Sequence, residues 1–258
     1  MCKFLNEDLD KGYWMKVNFA IVIPMANESK DFIKFTDALA KAICNPNYQV
    51  KIYCVVDLAS KDNTLALCNE LSIADKRFVT IWAPENKNIV DAYIRGYKEA
   101  LQNKHNFIIE MDAGMSHDPS AIPMFLRVLQ EGNECAFGSR FINGGSIFQS
   151  NLKRTMLSKA GTILSNALLG TKLHDATSGY QGFHAAIVEK FLAYKLLSTA
   201  HFYQTELRYL LRKTRFMEVP IHYRAPSPSV SKKAIYNSFV VLFHYLLLRL
   251  KSQSAIIE

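Results

Sequence analysis

Five short runs, "VNFAIVIP" (17–24), "VKIYCVV" (50–56), "RFVTIW" (77–82), "FIIEM" (107–111) and "ECAFGS" (134–139), are each separated by stretches of about one helix length. Most are too continuously apolar for half-exposed strands and too short for helices, so they read as strands buried on both faces. Between them, apolar residues recur at helical spacing: Phe32, Ile33, Phe35, Leu39, Ala42 and Ile43 after the first run, and Ile89, Ala92, Tyr93, Gly96, Tyr97 and Ala100 after the third. Pro24 is read as ending the first strand, and Ser60 as capping a helix that starts near Asp62. Pro119 and Gly132 bracket a further helix. This alternation predicts an α/β fold with a single Rossmann-like, mostly parallel sheet flanked by helices. Ligands bind such sheets at the carboxyl ends of the strands, where Asn27, Asp57 and Asp112 fall.

After residue 145 the rhythm breaks into a long helix (about 150–169), a loop "HDATSGYQGF", a helix around "FYQTELRYLLRK", a short strand "FMEVPIHY" and a final apolar helix. Without a linker or repeat, the expected organisation is an extension (1–16), one domain (17–233) with a nucleotide-binding half (17–145) and an acceptor half (146–233), and a C-terminal amphipathic helix (234–258).

The formal charge of +8 and pI of about 9.1 favour anionic partners. Nucleic acid is set aside, since no arginine-rich arm or zinc module is visible. The five cysteines show no C-x-x-C spacing and read as reduced, small apolar residues. "MCKFLNEDLDKGYW" is too acidic and polar for a signal peptide, and no apolar run approaches the ~20 residues of a membrane span. The expected location is cytoplasmic. The last helix, "KKAIYNSFVVLFHYLLLRLK", is basic at both ends. It either packs onto the protein or lies on the cytoplasmic membrane face.

Seven segments, in order, resemble the family-2 glycosyltransferases, specifically the dolichyl- and polyprenyl-phosphate sugar synthases: "AIVIPMANE", "VVDLASKDNT", "NKNIVDAYIRGYKEA", "MDAGMSHDP", "FGSRF", "DATSGY" and "EVPIHY…SK". The resemblance covers roughly residues 17 to 233 and implies a GT-A-type fold. It assigns donor nucleotide-sugar binding to Pro24, Asn27, Glu28, Asp57, Asp112 and Arg140, and acceptor-phosphate binding to Arg154, Ser178 and Lys232. Asp112 and Asp175 take the catalytic positions, with Asp175 orienting an arginine or the acceptor. Asp112 is also the implied ligand of a weakly bound Mg2+ or Mn2+. The sequence departs from the family pattern at Leu58 and Gly114, each in place of a second acid, and at Pro226 and Ser229. His117 reads as a loop-fixing hydrogen bond or a helix N-terminal contact rather than a metal ligand.

The resemblance implies an inverting transfer from a nucleotide-diphosphate sugar to a polyprenyl or dolichyl phosphate. That acceptor is already an anionic nucleophile. Transfer to a sugar hydroxyl is the alternative and needs a base, for which Asp175 and Glu206 are candidates, although Glu206 reads as a helix-surface charge. A third reading is a degenerate protein that binds nucleotide sugars without turnover.

Overall fold

The computed structural model describes residues 16–148, 152–224, 231–253 and 255–257, without the side chains of residues 152–154. The extension 1–16, apart from its last residue, and the departures at Pro226 and Ser229 lie outside the described residues.

The first half alternates as expected: β1 (Val17–Met25), α1 (Phe32–Ala42), β2 (Tyr48–Val56), α2 (Thr64–Ala74), β3 (Phe78–Trp82), α3 (Ile89–Gln102), β4 (Phe107–Glu110), α4 (Ile122–Gln130) and β5 (Cys135–Ser139). The second half holds β6 (Ser146–Ile147), α5 (Leu152–Leu169), β7 (Gln181–His184), α6 (Ala185–Leu192), α7 (Tyr203–Leu210), β8 (Phe216–Pro220), β9 (His222–Tyr223) and α8 (Lys232–Leu250). Seven strands form one sheet in the order β3-β2-β1-β4-β7-β5-β8. All neighbours are parallel except β7, which runs antiparallel between β4 and β5. Thus the α/β, mostly parallel architecture holds.

Alternation along β1 explains its unbroken apolar run. Phe19, Ile21 and Ile23 join a core with α1, α2 and α4 on one face. Ala20 and Val22 join a second core with α3, α6, α7 and α8 on the other. Pro24 does not end this strand, which continues to Met25. Pairing with β4 stops at Val22, so the missing proline N–H falls beyond that ladder.

β1 has β2 on one side and β4 on the other, which brings the turns after these three strands to one sheet edge. α3 approaches β1 closely because residue 96 is glycine: a Cβ there would overlap the Val22 side chain. Three cysteines, Cys54, Cys68 and Cys135, are buried free thiols. Cys44 departs from expectation: exposed just beyond α1, it is disulfide-bonded.

Candidate active site

The turn after β1 is locked to the turn after β2. Asn27 sits at φ +61°, and its side chain donates to the Ala59 carbonyl at 3.0 Å and accepts from the Lys61 N–H at 2.8 Å. Glu28 N–H donates to Thr64 Oγ1 at 2.8 Å, and Ser29 N–H to Asp62 Oδ2 at 3.0 Å. Asp62 also accepts from Thr64, so it organises the start of α2 in place of Ser60. Asp57 uses Oδ1 to accept from Ala59 N–H at 2.8 Å, while Leu58 beside it is 54% exposed. Pro24 is buried within the strand.

At the end of β4, Asp112 is held by two residues. Tyr93 of α3 donates to Oδ1 at 2.7 Å, and His117 Nδ1 accepts the Asp112 backbone N–H at 2.9 Å. His117 Nε2 lies 3.8 Å from Oδ2. His117 thus fixes the loop by hydrogen bonding. The Asp112 side chain is 30% exposed. Burial would raise its pKa, but His117, His201 and the Tyr93 hydroxyl outweigh that and hold it below the usual carboxylate range. Glu28 behaves oppositely. Burial, followed by repulsion from Asp112, Asp31 and Asp62, pushes its carboxyl up to about 7.

The "DATSGY" loop closes on this edge from the acceptor half. A Cβ on Gly179 would meet Gln204 Nε2 at 3.0 Å, His117 Cε1 at 3.4 Å and Asp112 Oδ2 at 3.6 Å. Asp175 is fully buried and receives a bidentate pair from Arg140: Nε to Oδ2 at 2.7 Å and Nη2 to Oδ1 at 2.8 Å. Burial opposes ionisation of Asp175, yet the Arg140 bonds and charge keep its pKa below the ordinary value. Asp175 therefore orients an arginine and does not stand open as a base. Ser178 is also buried, its hydroxyl accepting from Tyr180 N–H at 3.3 Å.

The fold thus gathers Glu28, Asp112, Arg140 and Asp175 around one strand-end edge. Asp57 lies on the turn stapled to the Glu28 loop. Lys232 is exposed in the first turn of α8, and Arg154 begins α5 with its side chain outside the described residues. Arg224 pairs with Asp118. Glu206 corrects the sequence reading: it is fully buried, not a surface charge. It accepts from the N–H groups of Leu197 and Ser198 and from the Tyr245 hydroxyl.

The pattern of "Glycosyl transferase family 2" matches residues 20–192. The chain belongs to that family. It is 31% identical to polyprenol monophosphomannose synthase of Mycolicibacterium smegmatis over 226 residues, covering 86% of this chain and 83% of that one. Dolichol-phosphate mannosyltransferase of Pyrococcus furiosus is 30% identical over 171 residues, covering 66% of this chain and 46% of that longer protein. The fold is also similar to glucosyl-3-phosphoglycerate synthase of Mycobacterium tuberculosis, solved with Mn2+, UDP and glucosyl-3-phosphoglycerate. The TM-score is 0.60 at 13% identity, over 93% of this chain and 81% of that one.

Beneath the edge of this family-2 glycosyltransferase runs a buried polar chain that the sequence reading missed. Tyr203 and Tyr97 donate to Glu110 Oε2, and Gln181 donates to Oε1 at 2.7 Å. Gln181 in turn accepts from Arg208 Nε at 2.9 Å. Arg208 continues to the carbonyls of Asp175, Gly138 and Ser178. This chain ties β4, which delivers Asp112, to the loop that delivers Asp175. The available signal was weak: an acid inside "FIIEM" and an arginine inside "ELRYLL", both otherwise apolar settings where a polar group requires partners.

The donor chemistry at Asp112 suits a hard divalent cation, because the ionised and nearby groups offer carboxylate oxygens. Among the described residues no three His, Cys, Asp or Glu side chains converge to hold a metal. An ion here would complete its shell with phosphate oxygens and water, as magnesium commonly does.

Proposed function

We propose that this glycosyltransferase moves a mannosyl group from a nucleoside-diphosphate sugar to a polyprenyl or dolichyl phosphate, with inversion at the anomeric carbon. One observation carries the choice of acceptor: the two candidate bases are committed to internal partners. Asp175 is held by Arg140, and Glu206 by Leu197, Ser198 and Tyr245. A sugar hydroxyl needs a base to become a nucleophile, whereas a lipid phosphate is already ionised. The relatedness to polyprenol and dolichol phosphate mannosyltransferases supports the same acceptor and suggests the sugar.

In this reading the turns after β1 and β2, with Asp57 and Asn27, receive the nucleoside end of the donor. The diphosphate lies by Asp112 and the Arg140 side. A bound divalent cation would neutralise the leaving diphosphate. Asp112 would hold it, with Tyr93 and His117 fixing that carboxylate before donor arrives. Arg140 is fixed by Asp175 and lies over the rings of Phe141 and Tyr223, at 5.2 and 5.6 Å from their centroids. It offers the acceptor phosphate a preorganised positive charge, with Arg154, Ser178 and Lys232 as further acceptor-side contacts. Attack by the phosphate oxygen on the anomeric carbon forms the sugar–phosphate bond as the bond to the nucleoside diphosphate breaks.

The acceptor would be reached from a membrane surface. No helix among the described residues is long and apolar enough to cross a membrane. However, α8 exposes Tyr236, Phe239, Phe243 and Leu250, and neighbouring α5 exposes Met156 and Leu157.

The test incubates the protein with labelled GDP-mannose and UDP-sugars, with Mg2+ or Mn2+, and either a polyprenyl phosphate or free oligosaccharide. Label entering the organic phase as a mild-acid-labile product is expected. Label entering only the oligosaccharide would overturn the acceptor assignment, and label from glucose but not mannose would overturn the sugar.

A further inference from the structure

We infer, resting on the glycosyl-transfer reading above, that Glu28 and Asp112 together hold the divalent cation of this site. Glu28 supplies from the β1 turn the carboxylate that residue 114 lacks. The resemblance placed Glu28 on the nucleoside, and the motif ending β4 carries glycine where its second acid is expected.

The geometry that links the two positions is direct. A Cβ built on Gly114 would lie 2.5 Å from Glu28 Oε2, 3.3 Å from its carboxyl carbon and 3.5 Å from Oε1. The space into which a side chain at 114 would project is therefore filled by a carboxylate from another strand end. Gly114 has φ +68°, so a side chain there would also carry backbone strain. Loss of the acid at 114 and entry of the acid from 28 are two sides of one packing arrangement.

Glu28 is also aimed and held as a ligand must be. Its own N–H is fixed by Thr64, and the residue before it is stapled across to Ala59 and Lys61. Among the described residues, no side chain or backbone donor is bonded to its carboxylate. Asp112 is its strongest charged neighbour, and Asp31 and Asp62 deepen the negative field. The Glu28 and Asp112 carboxylates repel each other, and a hard cation bound by both would remove that repulsion. Magnesium is commonly bound by one or two protein carboxylates plus substrate phosphate oxygens, so this pair is within its usual range.

Mn2+ binding, followed by loss of the free-ion electron paramagnetic resonance signal with UDP or GDP present, tests the assignment without requiring turnover. Glu28→Gln keeps the side-chain volume and should weaken Mn2+ binding by about tenfold or more, in the range expected for losing a ligand contact. Its affinity for nucleoside diphosphate in EDTA should stay within about twofold of the parent. Glu28→Ala combined with Gly114→Asp vacates the space and returns a carboxylate to it, so Mn2+ binding should recover relative to Glu28→Ala alone. Thermal melts of each variant confirm folding.

Parent-like Mn2+ binding by a folded Glu28→Gln overturns the inference. An equal loss of nucleotide affinity in EDTA does so too, because Glu28 is then a nucleoside contact. A parent protein that binds no Mn2+ with either nucleotide also overturns it. The proposed function fails separately, if metal binding responds as expected while no lipid phosphate accepts sugar.

Discussion

Asp175 shows how a single buried carboxylate sets what its neighbours can do. It accepts from the backbone N–H of Arg140 as well as from the guanidinium, and Thr177 closes over Oδ1 at 3.1 Å. Asp175→Asn removes the charge but not the volume, leaving a buried guanidinium without its counter-ion. Breaking such a pair from one side costs about 3–5 kcal/mol, so the variant should unfold at clearly lower urea concentration. Turnover measured well below that midpoint should also fall, because Arg140 loses its orientation. A midpoint equal to the parent's would show that the pair contributes nothing to the fold. Gly114 shows the complementary limit: what a residue lacks is legible in the sequence, but which distant side chain fills the gap is not. Residues 28 and 114 meet only because β1 and β4 are sheet neighbours.

At the scale of elements, α3 and α8 carry distinct constraints. α3 lies against β1 through Gly96, with Tyr93 directed at Asp112 and Tyr97 at Glu110. Gly96→Ala forces the helix off Val22 and should destabilise by about 1–3 kcal/mol, the usual range for overpacking. A shifted α3 moves the Tyr93 hydroxyl as well, so Mn2+ affinity should drop in the same variant; urea titration and metal titration read the two effects. α8 anchors through Val241, Leu242 and Tyr245, the last bonded to Glu206 at 2.7 Å, while its other face is exposed and apolar. The anchored face meets the packing reading of that helix, and the exposed face is the one the membrane reading would use. Phe239→Glu with Phe243→Glu leaves the anchored face intact. Flotation with anionic liposomes should show at least about a tenfold loss of binding, given about 1.5–3 kcal/mol for each buried Phe. Undiminished flotation, or none by the parent, would remove α8 as the membrane face.

The whole molecule is joined across its centre by the buried chain from Glu110 through Gln181 to Arg208. Burial pushes Glu110 from 4.5 up to about 8, outweighing the donors that favour its ionised form. Burial likewise lowers Arg208 to about 10. The sign for stability follows from proton binding. Between about pH 4.5 and 8 the native state holds a proton on Glu110 that the unfolded chain has released, so stability declines as pH rises across this window. The contribution is complete below 4.5 and gone above 8. Glu28, raised to about 7, adds a slope of the same sign. Glu110→Gln should flatten the decline without abolishing it, as read from urea midpoints at either end of the window. A slope equal to the parent's would mean that Glu110 is ionised in the folded protein.

The order of strands and helices up to β5 was legible in the sequence, because apolar periodicity is a local property and each element buries its own face. Asp57, Asp112 and Arg140 were placed at strand ends on the same grounds, aided by the family resemblance. The segment after residue 180 was not legible as a strand. β7 is four residues long, and it becomes a strand only because β4 and β5 leave a gap that it fills antiparallel. Glu206 has a charge that reads as surface, yet it is buried, as is Arg208, since groups brought from other elements satisfy them. The sequence by itself determined the strands and helices up to β5 and which acids stand at their strand ends. Only the tertiary structure decided which polar groups pair, because the free energy of a buried charge depends on partners that chain proximity does not supply.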